Sequence, residues 1–185
     1  MTLAQLTLAP AAHAGLYEVT SAEANDLLAR WGHYLGPCRR PFGTQSWALI
    51  AGGQPVAVAV SASTVATTTA GYPRRHLVEL ARLCAAQPWA TRVMLRLWRE
   101  VAAPAWPYWP AAAAVAYSQN HRHDGRIYHF DGWTKVTTTA GSNGGGAWTR
   151  HRHPGHAARG PKTLWLWRYT PEPTGPAPAI DGAVA

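Results

Sequence analysis

Two periodicities alternate along the chain, and the points where one gives way to the other mark its elements. Residues 16–19 are a short apolar segment bounded by Gly15 and by Thr20-Ser21, which predicts a first strand. Thr20-x-x-Glu23 has the form of a capping box ahead of Ala24, Leu27, Leu28 and Trp31, a spacing that predicts a helix ending near Gly32. Apolar runs at 47–51 and 56–61 flank Gly52-Gly53-Gln54-Pro55, with Val56, Val58 and Val60 on one face, the pattern of a hairpin. Residues 64–72 are polar and read as a loop or a frayed strand end. Residues 76–83 predict a third sheet strand with Leu77, Glu79, Ala81 and Leu83 on one side and Val78, Leu80 and Arg82 on the other. Strict alternation therefore sets Glu79 and Arg82 on opposite faces.

Residues 89–103 carry the clearest helical period. Met94, Leu97, Trp98 and Val101 fall on a core face, Arg92, Arg96 and Arg99 on another stripe, and Pro104 ends the helix. A rigid aromatic connection at 106–110 leads to a buried strand at 111–118, a polar turn at 119–124 and a short helix at 125–130. Gly132-Trp133 turns the chain into a strand at 134–138, a glycine-rich loop follows at 141–146, and bulky residues alternate through a last strand at 163–169. No internal repeat is present. This order predicts an α/β (α+β) fold: a mixed, mostly antiparallel sheet with a central parallel strand pair, joined by the long helix and flanked by helices. Residues 1–170 are expected to form a single domain and residues 171–185 a disordered tail.

Composition narrows the function classes. A chain of 185 residues, 47% of them apolar, can bury one real core. Its formal charge is +8, and lysine occurs only at 135 and 162, so arginine dominates the 17 cations. That balance suits a polyanionic partner, nucleic acid or an anionic cofactor, and equally a solubilising surface from a GC-rich genome. Two cysteines, Cys38 and Cys84, make neither a disulfide framework nor a zinc site. With no basic leader and no run of about 20 apolar residues, the expected location is the cytoplasm, without a membrane span.

Histidine is concentrated in His121-Arg-His123 and His151-Arg-His153. A His-x-His pair can ligate a metal, but no cysteine or paired carboxylate completes the set, so no metal site is assigned and nucleic-acid contact is preferred. Arg150, Arg152 and Lys162 belong to a basic arm beside the glycine loop, suited to following a phosphate backbone or simply to being solvated. Tyr34, Trp47, Trp133, Trp148 and the 106–109 segment are candidate stacking platforms for an extruded base.

Three blocks carry a resemblance: Glu79-Leu-Ala-Arg-Leu-Cys84, Ala116-Tyr-Ser118, and His123-Asp-Gly-Arg-Ile-Tyr-His-Phe-Asp-Gly-Trp133. With the element order, they resemble the GNAT acyltransferase superfamily over roughly residues 20–170, and within it the Mom-like proteins, phage-type enzymes that modify adenine in DNA. The resemblance implies acetyl-CoA or a related acyl-CoA as cofactor and double-stranded DNA as partner. It implies Tyr128 as catalytic acid, with Arg82 and Ser118 as positioning groups. Leu83, Cys84, Arg92 and Tyr128 would meet the cofactor, and His33, Tyr34, Tyr117, His121, His123, Arg150, Arg152 and Lys162 the substrate.

Two departures stand beside it. Gln119 occupies the place where the pattern has aspartate, leaving Asp124 as the nearest acid, and no glycine lies between Cys84 and Arg92, where a pyrophosphate loop is expected. Helix amides at 89–91 with Arg92 remain as an anion receptor. Three functions follow as expectations: acylation or carbamoylation of the adenine amine in DNA, N-acylation of a small amine, or DNA binding without catalysis on the same scaffold. The sequence leaves oligomeric state open, a homodimer included.

Overall fold

The capping box forms as its residues require. In the computed structural model, which describes residues 14–40, 43–139 and 160–169, Glu23 N–H donates to Thr20 Oγ1 at 3.2 Å and Thr20 N–H donates to Glu23 Oε2 at 2.8 Å. Helix α1 (Ser21–Arg30) follows strand β1 (Ala14–Val19) and buries Ala24, Leu27 and Leu28 against Ala48, Val58 and Val60. Each large side chain so buried stabilises the fold by roughly 1.5–3 kcal/mol. The glycine loop 141–146, Trp148, the arm with Arg150 and Arg152, and the tail 171–185 lie outside the described residues.

Strands β2 (Thr44–Ala51) and β3 (Gln54–Ala62) make the expected hairpin, tightened to the two-residue turn Gly52-Gly53, both at positive φ. The polar stretch that follows holds a small hairpin, β4 (Thr68–Thr69) with β5 (Tyr72–Pro73). Next come β6 (Leu77–Ala85), helix α2 (Pro88–Leu97), β7 (Ala113–Gln119), helix α3 (Arg126–Phe130), β8 (Thr134–Thr139) and β9 (Lys162–Arg168). The main sheet runs β1-β2-β3-β6-β7-β9-β8, antiparallel throughout except for β6 and β7. Helix α2 covers one face, over a core of Met94, Leu95, Trp98, Trp133 and Trp165. On the other face α1 covers the β2–β3 side, and Ala70 and Tyr72 of the small hairpin cover Leu77, Val115 and Leu166.

Two irregularities correct the expected side-chain directions. The expected core face of the long helix holds for Met94 and Trp98, but Leu97 is half-buried and Val101 is 49% exposed, while Arg99 and Ala102 are buried in their place. The cause is a π-helical turn at Trp98–Ala102, where Ala103 N–H reaches Trp98 O at 2.7 Å and the extra residue rotates the following positions. The second is a bulge between β3 and β6: Val60 pairs with Arg82, but Ser61 pairs with Leu80. Ala81 is the extra residue, and it reverses the alternation beyond it. Arg82 therefore joins Glu79 on the α1 side rather than opposing it, opposite Val60 of the α1 core, while Leu83 packs toward α2.

Candidate active site

The site exists because β6 and β7 part company. Their parallel pairing runs from Leu77↔Ala113 to Leu80↔Ala116 and stops. Beyond it β6 stays with β3 as far as Ala85, and β7 stays with β9 as far as Gln119. The backbone edge of residues 81–85 is left facing a cleft of about 1060 Å³. Its walls are β6 from Leu80 onward, Tyr117 and Ser118, the turn and helix from Asn120 to Tyr128, the loop after α1 with His33 and Tyr34, and Pro88 and Thr91 of α2. Three segments far apart in sequence thus share one cavity, as ligand sites at strand ends commonly do.

Tyr128 stands on the α2 side. Its ring stacks on Trp165 at 5.7 Å and meets Trp133 edge-on at 5.5 Å. Burial, with the Tyr34 phenol beside it, pushes the Tyr128 hydroxyl well above the usual tyrosine range. Such a group stays protonated at neutral pH, so it has a proton to give and cannot take one, although the upward shift makes it a weaker acid than a free tyrosine. Ser118 shares this side; its Oγ accepts from Trp165 Nε1 at 2.9 Å, which ties the serine to the same indole. Asp124, the nearest acid, lines the cleft from an exposed position and accepts Arg126 N–H on Oδ1 at 3.0 Å, at the start of α3. Gln119 is buried.

The base of α3 is fixed from behind. Arg99 is buried on Asp131, with Nε 2.9 Å from Oδ2, and its guanidinium lies 3.8 Å from the centre of the Trp167 ring. Trp133 Nε1 donates to the same Asp131 oxygen at 3.0 Å, and Tyr169 Oη donates to Arg99 O at 2.9 Å. Arg99 was expected in a stripe with Arg92 and Arg96; the π-helical turn moves it inward, where it holds the corner that follows Tyr128.

Around Tyr34 the loop after α1 gathers the groups expected at the substrate. His33 stacks on Tyr34 at 5.1 Å, His123 lies 5.9 Å away, and Arg122 sits over its ring at 5.1 Å. Leu35 N–H donates to His33 Nδ1 at 3.3 Å, which assigns the ring proton of the neutral form to Nε2. Burial, then the positive charges of Arg82 and His123, hold His33 down to about 4. Between the ordinary value of 6.5 and about 4 the unfolded chain takes a proton that the folded chain refuses, so stability falls as pH falls through this window. The expected loss, after allowance for partial exposure, is about 1–2 kcal/mol. Urea midpoints from pH 7 to pH 4 check this, and His33→Asn should flatten that part of the curve.

Arg82 is held rather than free to swing. Its Nε donates to Gly36 O at 3.1 Å, Nη1 to Ala81 O at 2.7 Å and Nη2 to Pro37 O at 3.4 Å. The loop is itself anchored by Cys38 N–H on Asn25 Oδ1 of α1 at 2.7 Å. Glu79 pairs with Arg40 and not with Arg82. Burial pushes the Glu79 carboxyl up, and Arg40, Arg82 and Lys162 pull it back.

Other expected site residues are distributed as follows. Leu83 and Cys84 line the cleft, as do His121 and His123 on the exposed turn. Tyr117 lies on the α1 side of β7, opposite in direction to Ser118, and Lys162 opens β9 on that same side. Arg92 is exposed and is not part of the cleft wall; Thr91, one residue earlier, takes that position. Trp133 and Trp106 are packed in the core, with Trp47 and Trp109 against it, so these indoles are not stacking platforms; Tyr108, in the same segment as Trp106 and Trp109, is exposed but outside the cleft wall. Arg40 and Arg122 were missed as site residues, although Arg122 stands inside the His121-Arg-His123 run and Arg39-Arg40 follow Cys38 in the sequence.

No family model and no curated protein matches the sequence. Solved structures do match its fold. The yncA protein from Salmonella typhimurium, solved with its cofactor acetyl-CoA, aligns at a TM-score of 0.58 and 13% identity over 89% of this chain and 98% of its own. The ribosomal-protein-S18-alanine N-acetyltransferase of Escherichia coli aligns at 0.57 and 8% identity over 88% and 97%. A Bacillus subtilis acetyltransferase in complex with CoA aligns at 0.51 and 12% identity over 85% and 99%. The chain has the fold of the GNAT acetyltransferases.

Proposed function

We propose that this chain is an acyltransferase that uses acetyl-CoA or a related acyl-CoA and places an acyl or carbamoyl-type group on the exocyclic amine of adenine in DNA. One observation carries the reading. The blocks at 79–84, 116–118 and 123–133, which resemble the Mom-like proteins, come together around one cleft and contribute Leu80 to Cys84, Tyr117 and Ser118, and His123 to Tyr128 to its wall.

The cleft fits the cofactor in part. The unpaired β6 edge at 81–85 suits an extended pantetheine arm, because each exposed peptide group can pair with an amide of that arm. At the phosphate end the fit is poorer: α2 opens with Pro88, which has no N–H, and residues 85–91 hold no glycine, leaving the first-turn amides of α2 as the anion receptor. When bound, acyl-CoA supplies an activated thioester. Tyr128 Oη holds the proton that the departing sulfur needs, and Trp165 and Trp133 fix the ring that carries it.

The charge of the wall favours a nucleobase amine over an aliphatic one. Among the described residues the cleft wall has one carboxylate, Asp124, against Arg82, Arg122 and Arg126. An aliphatic amine is protonated at neutral pH and needs a base before it can attack, whereas adenine's amine is already neutral, and the proton it sheds as the C–N bond forms restores the Tyr128 hydroxyl that protonated the sulfur. The rim residues His121, Arg122 and Arg126 are exposed and suit an anionic strand.

Purified protein, acetyl-CoA and an adenine-containing duplex form the direct assay, read as release of free CoA thiol. Release that depends on the duplex, and is not replaced by spermidine or by lysine, is the expected result. Release with those amines and not with DNA would establish the small-molecule reading instead.

A further inference from the structure

On the α1 side of the sheet a second recess, of about 510 Å³, shares Tyr34, Leu80, Ala81, Arg82 and Tyr117 with the main cleft, so the two meet where β6 and β7 separate. It lies between the loop that carries Arg40 and the segment leading into the small hairpin, with Thr64 and Thr69 on its wall. Among the described residues its charged groups are Arg40, Arg82, Lys162 and Glu79. With Glu79 ionised, three cations against one carboxylate leave a net charge of +2.

The arrangement of these charges is informative. Glu79 is committed to Arg40, so it compensates that one cation. Among the described residues Arg82 bonds to the carbonyl oxygens of Gly36, Pro37 and Ala81, which fix its direction without cancelling its charge. Lys162 is brought in from β9, and its charge is felt at Glu79. The hydroxyls of Thr64, Thr69 and Tyr117 add neutral hydrogen-bonding groups to the same wall. A fixed guanidinium and an ammonium beside hydroxyls are the chemistry of phosphate recognition, and they repel a protonated amine.

We propose that this recess is a phosphate subsite of the acceptor: Arg82 and Lys162 hold a phosphate of an adenine nucleotide whose base is presented at the gap between β6 and β7. The inference rests on the nucleobase reading given above and names the part of the acceptor that the recess holds. The phosphate belongs either to a DNA strand or to a free nucleotide.

Calorimetric titration of the full chain separates the cases. The probes are deoxyadenosine, its 5′-monophosphate, a short adenine-containing single strand, and inorganic phosphate. A preference of at least ~10-fold for the monophosphate over deoxyadenosine, cut to less than ~3-fold in Lys162→Gln, supports the subsite with a free nucleotide as source. The same preference shown only by the single strand, again reduced in Lys162→Gln, supports it with a strand phosphate. Should that variant be poorly folded, affinity of the unmodified chain for the favoured probe must fall with rising salt while deoxyadenosine binding does not. Equal affinity for deoxyadenosine and both phosphate-bearing probes overturns the subsite, even if duplex-dependent acyl transfer is observed. Inorganic phosphate competing as well as the nucleotide keeps the subsite but removes the nucleobase reading on which its adenine assignment rests.

Discussion

Tyr128→Phe is expected to lower the rate of acyl transfer by about 10²- to 10⁴-fold, the usual span for loss of a positioned acid. The effect should fall on kcat rather than on KM, because the ring that shapes the cleft is kept. Stacking on Trp165 and the edge contact with Trp133 need no hydroxyl, so the variant should unfold at nearly the denaturant concentration of the parent. The pH profile adds a constraint. Since burial moves the Tyr128 phenol above the ordinary tyrosine range, the unmodified enzyme should show no alkaline loss of rate at the pH where a solvent-exposed tyrosine ionises. Steady-state kinetics over pH, together with denaturant midpoints, check each part.

Gly125→Ala should do more damage by a different route. Gly125 caps α3 at φ 77°, in the left-handed region, and a Cβ there would stand 2.3 Å from Trp165 Cζ2. Trp165 cannot retreat: it stacks on Tyr128, donates to Ser118 and is part of the main core. Overpacking of this kind costs about 1–3 kcal/mol, and the backbone strain roughly 1–2 kcal/mol more. A loss of about 2–5 kcal/mol in a urea titration is expected, along with most of the activity, because the same residue sets the start of the helix that carries Tyr128. Midpoint and activity should fall together here, whereas Tyr128→Phe should separate them.

The order of elements was legible in the sequence because each boundary has a local cause. Thr20 and Glu23 cap α1 through their own side chains, and Gly52-Gly53 allows the turn that β2 and β3 need. Alternation also located the strand that parts from its neighbour, and the turns on either side located the short helix with Tyr128. What escaped were the two places where periodicity breaks inside an element. The bulge at Ala81 brings Arg82 to the side of Glu79, and the π-helical turn buries Arg99. Neither is encoded by a turn residue; both follow from tertiary packing, which period counting does not contain.

The candidate site was legible in proportion to how local its parts are. Tyr128 and its glycine lie three residues apart and could be read together. The Arg40–Glu79 pair spans 39 positions, and Lys162 reaches the same recess from the last strand, so only the sheet order joins them. Arg92 is a different case: it stands near the start of α2, where an anion site is expected, and is exposed, with Thr91 beside it on the cleft wall.

The most direct test of the account is mass spectrometry of nucleosides from the DNA of cells that express the chain, alongside cells expressing Tyr128→Phe. The account predicts a heavier deoxyadenosine in the first sample and its loss in the second, with both proteins present at comparable levels. Deoxyadenosine of unaltered mass in both samples, despite soluble and folded protein, would contradict it.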